Sequence, residues 1–197
     1  MTPLLLLIAA YVIGGIPFGY IFVKMKTGRD VRSMGSGNIG ATNVMRTTGR
    51  AAGLLTLLLD IAKGFTAVWL MARFGSTSPW WLSGAAIAVM AGHAYPWFLK
   101  FQGGKAVACF IGAFAYLTPV PMIAVVVVFV VVVAVSRHIS LGSIIAGGTF
   151  PFAVWLILHP VLPIFLAALA GGWFIVYRHR GNILRIRAGN EHVFRLK

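Results

Sequence analysis

Four polar stretches interrupt an otherwise apolar chain, and each carries residue types that bind or move charged groups. The first, GSGNIGATNVMR at 35–46, combines glycines that let a backbone approach a ligand closely with hydroxyls, amides and one fixed positive charge. Ser36, Asn38, Thr42, Asn43 and Arg46 together suit a phosphate, although a polar connector uses the same residue types. The second, GHAYPWFLKFQGGKAVA at 92–108, sets Gly103-Gly104-Lys105 at the start of an apolar helix. Unpartnered amides and the positive end of the helix dipole favour an anion there, and Lys105 adds a point charge. The third, SRHISLGSI at 136–144, puts Ser143 about one turn into a helix; its hydroxyl serves either a ligand or its own backbone. In the fourth, HRGNILRIRAGNE at 179–191, a helix would put His179 and Asn182 on one face with Arg178 and Arg185 nearby.

Two nucleotide motifs are excluded. Residues 35–40 match GxGxxG, but that fingerprint needs a strand before it, and an apolar span stands there instead. A Walker A loop ending on Lys105 would require glycine and Ser or Thr where the chain has Leu99 and Ala106. An HxxxxD pair is also missing, since the residues five positions after the histidines are Phe98, Ser143, Ile164, Leu184 and Lys197. No convergent carboxylates or HExxH pattern predicts a metal, and the single cysteine, Cys109, rules out an internal disulfide. Neither a cofactor nor a metal is expected.

The elements that must position these residues are membrane helices. Hydrophobic residues make up 59% of the chain and charged residues 10%, far below the roughly 25% charged residues of a soluble domain. Apolar runs fall at about 3–23, 52–73, 79–98, 106–118, 119–136, 139–158 and 161–177. The expectation is an all-α, polytopic membrane protein of seven helices forming one domain over 1–197. The first run, with no basic stretch before it, reads as a span and not as a cleaved signal peptide.

The run at 106–136 is ambiguous, because Thr118-Pro119-Val120-Pro121 makes it either one kinked span or two short ones. Two spans put fifteen of the seventeen basic residues, including Arg195 and Lys197, on one side with Arg73 alone opposite. One span would divide them evenly. The positive-inside rule selects two, which places the amino terminus outside, the carboxyl terminus in the cytoplasm, and all four polar stretches on the cytoplasmic side. Within the second span, Asp60 and Lys63 stand at i and i+3, where each neutralises the other; the pair suits structure and function equally.

Seventeen basic residues against three acids give a formal charge of +14. The partners this predicts are anionic: lipid headgroups of the bilayer or phosphorylated substrates. Nucleic acid is not expected, since the basic residues are dispersed between spans with no binding motif.

Taken in order and spacing, GSGNIGATNVMR, GHAYPWFLKFQGGKAVA and HRGNILRIRAGNE resemble the motifs of the bacterial acyl-phosphate:glycerol-3-phosphate acyltransferases over nearly the whole chain. The family usually has GGKG where this chain has GGKA. The resemblance implies transfer of a fatty acyl group from acyl phosphate to the 1-hydroxyl of glycerol 3-phosphate at the bacterial cytoplasmic membrane. The product is 1-acyl-glycerol 3-phosphate, a phospholipid precursor. It also implies His179, Asn182 and Ser36 as catalytic residues and Asn38, Thr42, Asn43, Arg46 and Lys105 as substrate contacts, with Ser143 as an additional suspected contact. The alternatives are a transporter of a phosphorylated metabolite, for which no inverted repeat speaks, and a phosphatidyltransferase. The latter needs clustered aspartates, whereas Asp30 and Asp60 are the only two.

Overall fold

Proline and glycine punctuation divides the described residues into ten α-helices. The computed structural model describes residues 2–194; Arg195 and Lys197, counted above for orientation, lie outside them. The helices are α1 (Pro3–Gly15), α2 (Phe18–Thr27), α3 (Ala41–Thr48), α4 (Arg50–Phe74), α5 (Pro79–Ala94), α6 (Val107–Leu117), α7 (Pro119–Ser136), α8 (Ile139–Leu158), α9 (Leu162–Arg178) and α10 (Arg180–Arg187). No strand occurs among the described residues. Proline sits in the first helical positions of α1, α5, α7 and α9, where its missing N–H has no intrahelical partner to lose.

The expected first span is broken. Pro17 lacks an amide and pushes Ile16 into extended backbone (ψ 114°), so α1 stops there and α2 restarts at Phe18. The 106–136 run does divide at Thr118 into α6 and α7. Of the helices, Pro3–Thr27 taken through its break, α4, α7 and α8 are long and apolar enough to cross a bilayer, and α9 with α10, bent by 52°, makes a fifth. The 16-residue α5 and 11-residue α6 fall short; at about 1.5 Å per residue, eleven residues cover roughly half of the hydrocarbon. The expected third span is shorter than its apolar run because Pro96 ends α5 at Ala94. Large side chains such as Leu156 (72% exposed) and Val135 (83%) face outward, as lipid contact requires.

The chain forms two compact units, residues 1–116 and 117–197. In the first, α1 lies so close to α5 that a Cβ on Gly14 would collide with the Val89 carbonyl and one on Gly92 with the Tyr11 carbonyl. Such contact between small residues is how membrane helices associate without a hydrophobic driving force. A separate apolar cluster of Val23, Val31, Ile39, Val44 and Leu99 holds α2, α3 and the loop between them. In the second unit α8 packs between α7 and α9, and α10 rests on α8 and α9.

Candidate active site

The first polar loop is organised by one side chain. Asn43, 2% exposed in the first turn of α3, donates from Nδ2 to the carbonyls of Met34 (3.0 Å) and Asn38 (2.8 Å). Its Oδ1 accepts the Ser36 amide at 2.9 Å. Both N–H bonds of the amide go to backbone carbonyls and its oxygen takes a backbone amide, so in this structure Asn43 shapes the loop. Gly35 turns at φ +55°, and a Cβ there would strike Asn43 Oδ1. Asn38 Oδ1 accepts the Gly40 amide at 2.8 Å just before α3. Around this scaffold Ser36 and Arg46 are exposed and Thr42 is half-buried, so the hydroxyls and guanidinium that could meet an anion remain at the surface. Just before the loop, Arg32 pairs with Asp30 at 2.6 Å and holds that carboxyl below the usual aspartate range through their hydrogen bonds.

The second stretch departs from expectation. The Gly103 amide donates to the Ala94 carbonyl and the Gly104 amide to the His93 carbonyl, each at 3.1 Å. Those two N–H groups tie the loop to the end of α5 and do not form an anion cradle. α6 begins at Val107, within a residue of the apolar run at 106–118, so the first-turn amides that any helix leaves without an intrahelical carbonyl start there. Lys105, half-buried, stands just before them. Ala106, at φ +62°, occupies the left-handed region and is 1% exposed; glycine fits that conformation without strain.

Beneath this loop lies a buried polar group that sequence spacing revealed only in part. Lys63 Nζ is 2.8 Å from Asp60 Oδ1 and donates to the Ile16 carbonyl at 2.8 Å, where the first span breaks. His93 Nδ1 lies 3.7 Å from the same Asp60 oxygen. Asp60, His93 and Cys109 bring three potential metal-ligand atoms within 4.8 Å of one another, a convergence the sequence did not suggest. The Lys63 ammonium, however, sets a positive charge against the only carboxylate of the three.

In the second unit, His179 caps α9 at the bend before α10, not inside a helix as the i, i+3 reading assumed. It is buried, as is Asn182. His179 Nδ1 lies 2.8 Å from the Ile175 carbonyl; a carbonyl only accepts, so Nδ1 carries a proton, and whenever the ring is neutral its lone pair is on Nε2. Asn182 Nδ2 donates to Glu191 Oε1 at 2.7 Å, and Arg185 Nε to Glu191 Oε2 at 2.8 Å. Burial raises the Glu191 pKa, but these hydrogen bonds outweigh it and hold the carboxyl below its ordinary value. Glu191 thus fixes which way the Asn182 amide faces. Ser143 is buried in the first turns of α8, with its hydroxyl donating to Ile139 O at 3.0 Å.

Comparison with known proteins agrees with this set of motifs. A family model for glycerol-3-phosphate acyltransferase matches residues 4–189. The glycerol-3-phosphate acyltransferase of Desulforamulus reducens is 41% identical over 192 residues, covering 97% of this chain and 94% of the relative. That of Geotalea daltonii is 41% identical over 194 residues, covering 98% of each. The crystal structure of PlsY (YgiH), an integral membrane glycerol 3-phosphate acyltransferase, in its glycerol 3-phosphate form has a TM-score of 0.92 at 37% identity, covering 98% of this chain and 96% of that one. Its lysophosphatidic acid form gives 0.89 at 35%, covering 98% and 95%.

Proposed function

Because the chain belongs to the glycerol-3-phosphate acyltransferase family, we propose that it transfers a fatty acyl group from acyl phosphate to the 1-hydroxyl of glycerol 3-phosphate. The observation that carries this reading is the similarity, over nearly the full chain, to a structure solved with glycerol 3-phosphate and again with lysophosphatidic acid. These are the acceptor and the product of such a transfer. The donor follows from chemistry. An acyl phosphate is an activated mixed anhydride, and basic and hydroxyl residues suit its phosphate without any cofactor.

The glycerol oxygen attacks the acyl carbon directly. A carbon–oxygen ester bond forms, the carbon–oxygen bond to phosphate breaks, and inorganic phosphate leaves. Such a donor needs no covalent enzyme intermediate. In the first unit Lys105 and Thr42 are the contacts for the donor phosphate; in the second, Ser143 is an additional suspected contact, able to exchange its bond to Ile139 O for one to a phosphate. Arg46 and Ser36 orient glycerol 3-phosphate, and Asn38 and Asn43 keep the first loop in shape. The hydroxyl proton goes to the departing phosphate, and His179 and Asn182 position the acceptor. His179 Nε2, oriented by the Nδ1–H bond to Ile175, is the competing base.

Seven spans, with the amino terminus outside and one membrane domain over 1–197, give this site a cytoplasmic face that a water-soluble acceptor reaches while the acyl chain stays in lipid. An impermeant thiol reagent should label Ser76→Cys from outside and Asn190→Cys from the cytoplasm, in a chain carrying Cys109→Ala. Initial-rate kinetics test the transfer itself. Intersecting double-reciprocal plots are expected; parallel plots, or a trapped acyl-Ser36, would replace direct attack with a two-step mechanism. Activity unaffected by chelators is expected of a site without metal. If His179→Gln lowers turnover at unchanged substrate affinity and abolishes a limb of the pH–rate profile, the histidine is the base.

A further inference from the structure

Asp60, Lys63 and His93 have no role in the transfer described above, yet they lie 2%, 5% and 4% exposed inside the first unit. We infer that these three side chains form a buried polar strut that sets the positions of both loops of that unit, an inference that rests on reading those loops as substrate-binding. At one end Lys63 holds the Ile16 carbonyl and stands 5.6 Å from the centre of the Phe18 ring, on the two sides of the break between α1 and α2. The direction of α2 leaving that break locates the first loop. Gly19 lies so close to the Ile39 carbonyl that a Cβ would overlap it, and Val23 packs with Val31, Ile39 and Val44. A shift at the break is therefore transmitted to Ile39, in the middle of the loop that carries Ser36 and Arg46.

At the other end, Asp60 Oδ1 faces both Lys63 and His93 Nδ1. The His93 ring lies directly against Gly104, where a Cβ would overlap Nε2, and the His93 carbonyl accepts the Gly104 amide at 3.1 Å. Lys105 is the next residue, so the strut ends one peptide from the proposed donor contact. A well-packed apolar pair can match a buried ion pair in stability. Stability alone therefore does not account for charges aimed at a helix break on one side and a glycine loop on the other. The three are positioning residues.

Two variants and one control test this with purified protein, acyl phosphate and glycerol 3-phosphate. His93→Gln removes the ring beneath Gly104 and should raise KM for acyl phosphate by about tenfold with kcat changed less than about threefold, since small displacements of positioned groups are costly. Asp60→Asn combined with Lys63→Gln leaves no net buried charge. Its thermal midpoint should lie near that of the parent chain while KM rises for both substrates. A double variant that recovers the midpoint and both KM values would reduce the pair to packing and overturn the strut. If the double variant does not fold, His93→Gln decides: an unchanged KM for acyl phosphate overturns the proposal. Lys105→Met is the control. If it raises KM for acyl phosphate while His93→Gln does not, the strut fails and the loop assignment stands. If Lys105→Met itself leaves KM unchanged, the loop assignment fails and the strut falls with it.

Discussion

Replacing Asn43 by Asp exchanges one NH2 for an oxygen, and its consequence separates a residue that shapes the loop from one that binds phosphate. Oδ1 can still accept the Ser36 amide. The other position, which donates to Met34 O at 3.0 Å and Asn38 O at 2.8 Å, becomes an acceptor facing two carbonyls. Protonation would restore only one of the two donors. Two hydrogen bonds at about 1 kcal/mol each, plus about 1 kcal/mol or more for the carbonyls left unpaired beside a buried side chain, give about 3 kcal/mol. At about 2–4 °C per kcal/mol for a chain of this size, the thermal midpoint should fall by about 6–12 °C. Thermal unfolding of the detergent-purified variant reads this directly, and KM for glycerol 3-phosphate should rise because the loop loses its shape. An unchanged midpoint with a raised KM would mean that Asn43 contacts substrate and does not hold the loop.

Ala106→Gly should change stability by less than about 1 kcal/mol, because relief of about 1–2 kcal/mol of left-handed strain offsets the lost methyl burial and the freer unfolded chain; a loss of several kcal/mol in thermal unfolding would contradict this. Gly104→Ala should raise KM for acyl phosphate, since the added methyl displaces the His93 ring; wild-type kinetics would show that the contact is slack. Glu191 titrates below its ordinary value of 4.5 in the folded chain. The stability it contributes is fully present above that value and is lost as the pH falls through its lower folded value. Glu191→Gln should therefore reduce stability near neutrality and flatten its acid dependence; an unaltered acid limb in pH-dependent unfolding would contradict the assignment.

Hydropathy and proline placement made much of the helix order legible: the helix at 139–158 needed only local sequence, while the division at Thr118-Pro119 also needed the distribution of basic residues along the whole chain. Local signals also exist for the breaks inside the first and third apolar runs. Pro17 sits inside the first apolar run and Pro96 near the end of the third, but continuous hydropathy concealed both. The site was legible as motifs and not as roles. Whether a glycine amide is available to an anion depends on which carbonyl it meets, and those at His93 and Ala94 face Gly103 and Gly104 only after the chain folds back. Asn43 likewise turns inward because its partners, from Met34 to Asn38, curl around it. The i, i+3 spacing exposed the Asp60–Lys63 pair, but no local pattern linked it to His93 thirty residues later or to the Ile16 carbonyl.

The most direct test of acyl phosphate as donor is a reaction of the purified protein with palmitoyl phosphate and labelled glycerol 3-phosphate, in which lipid product and inorganic phosphate are both quantified. Direct transfer from acyl phosphate yields labelled 1-acyl-glycerol 3-phosphate in equal amount with inorganic phosphate. No labelled lipid from acyl phosphate, alongside active transfer from an acyl thioester, would contradict it.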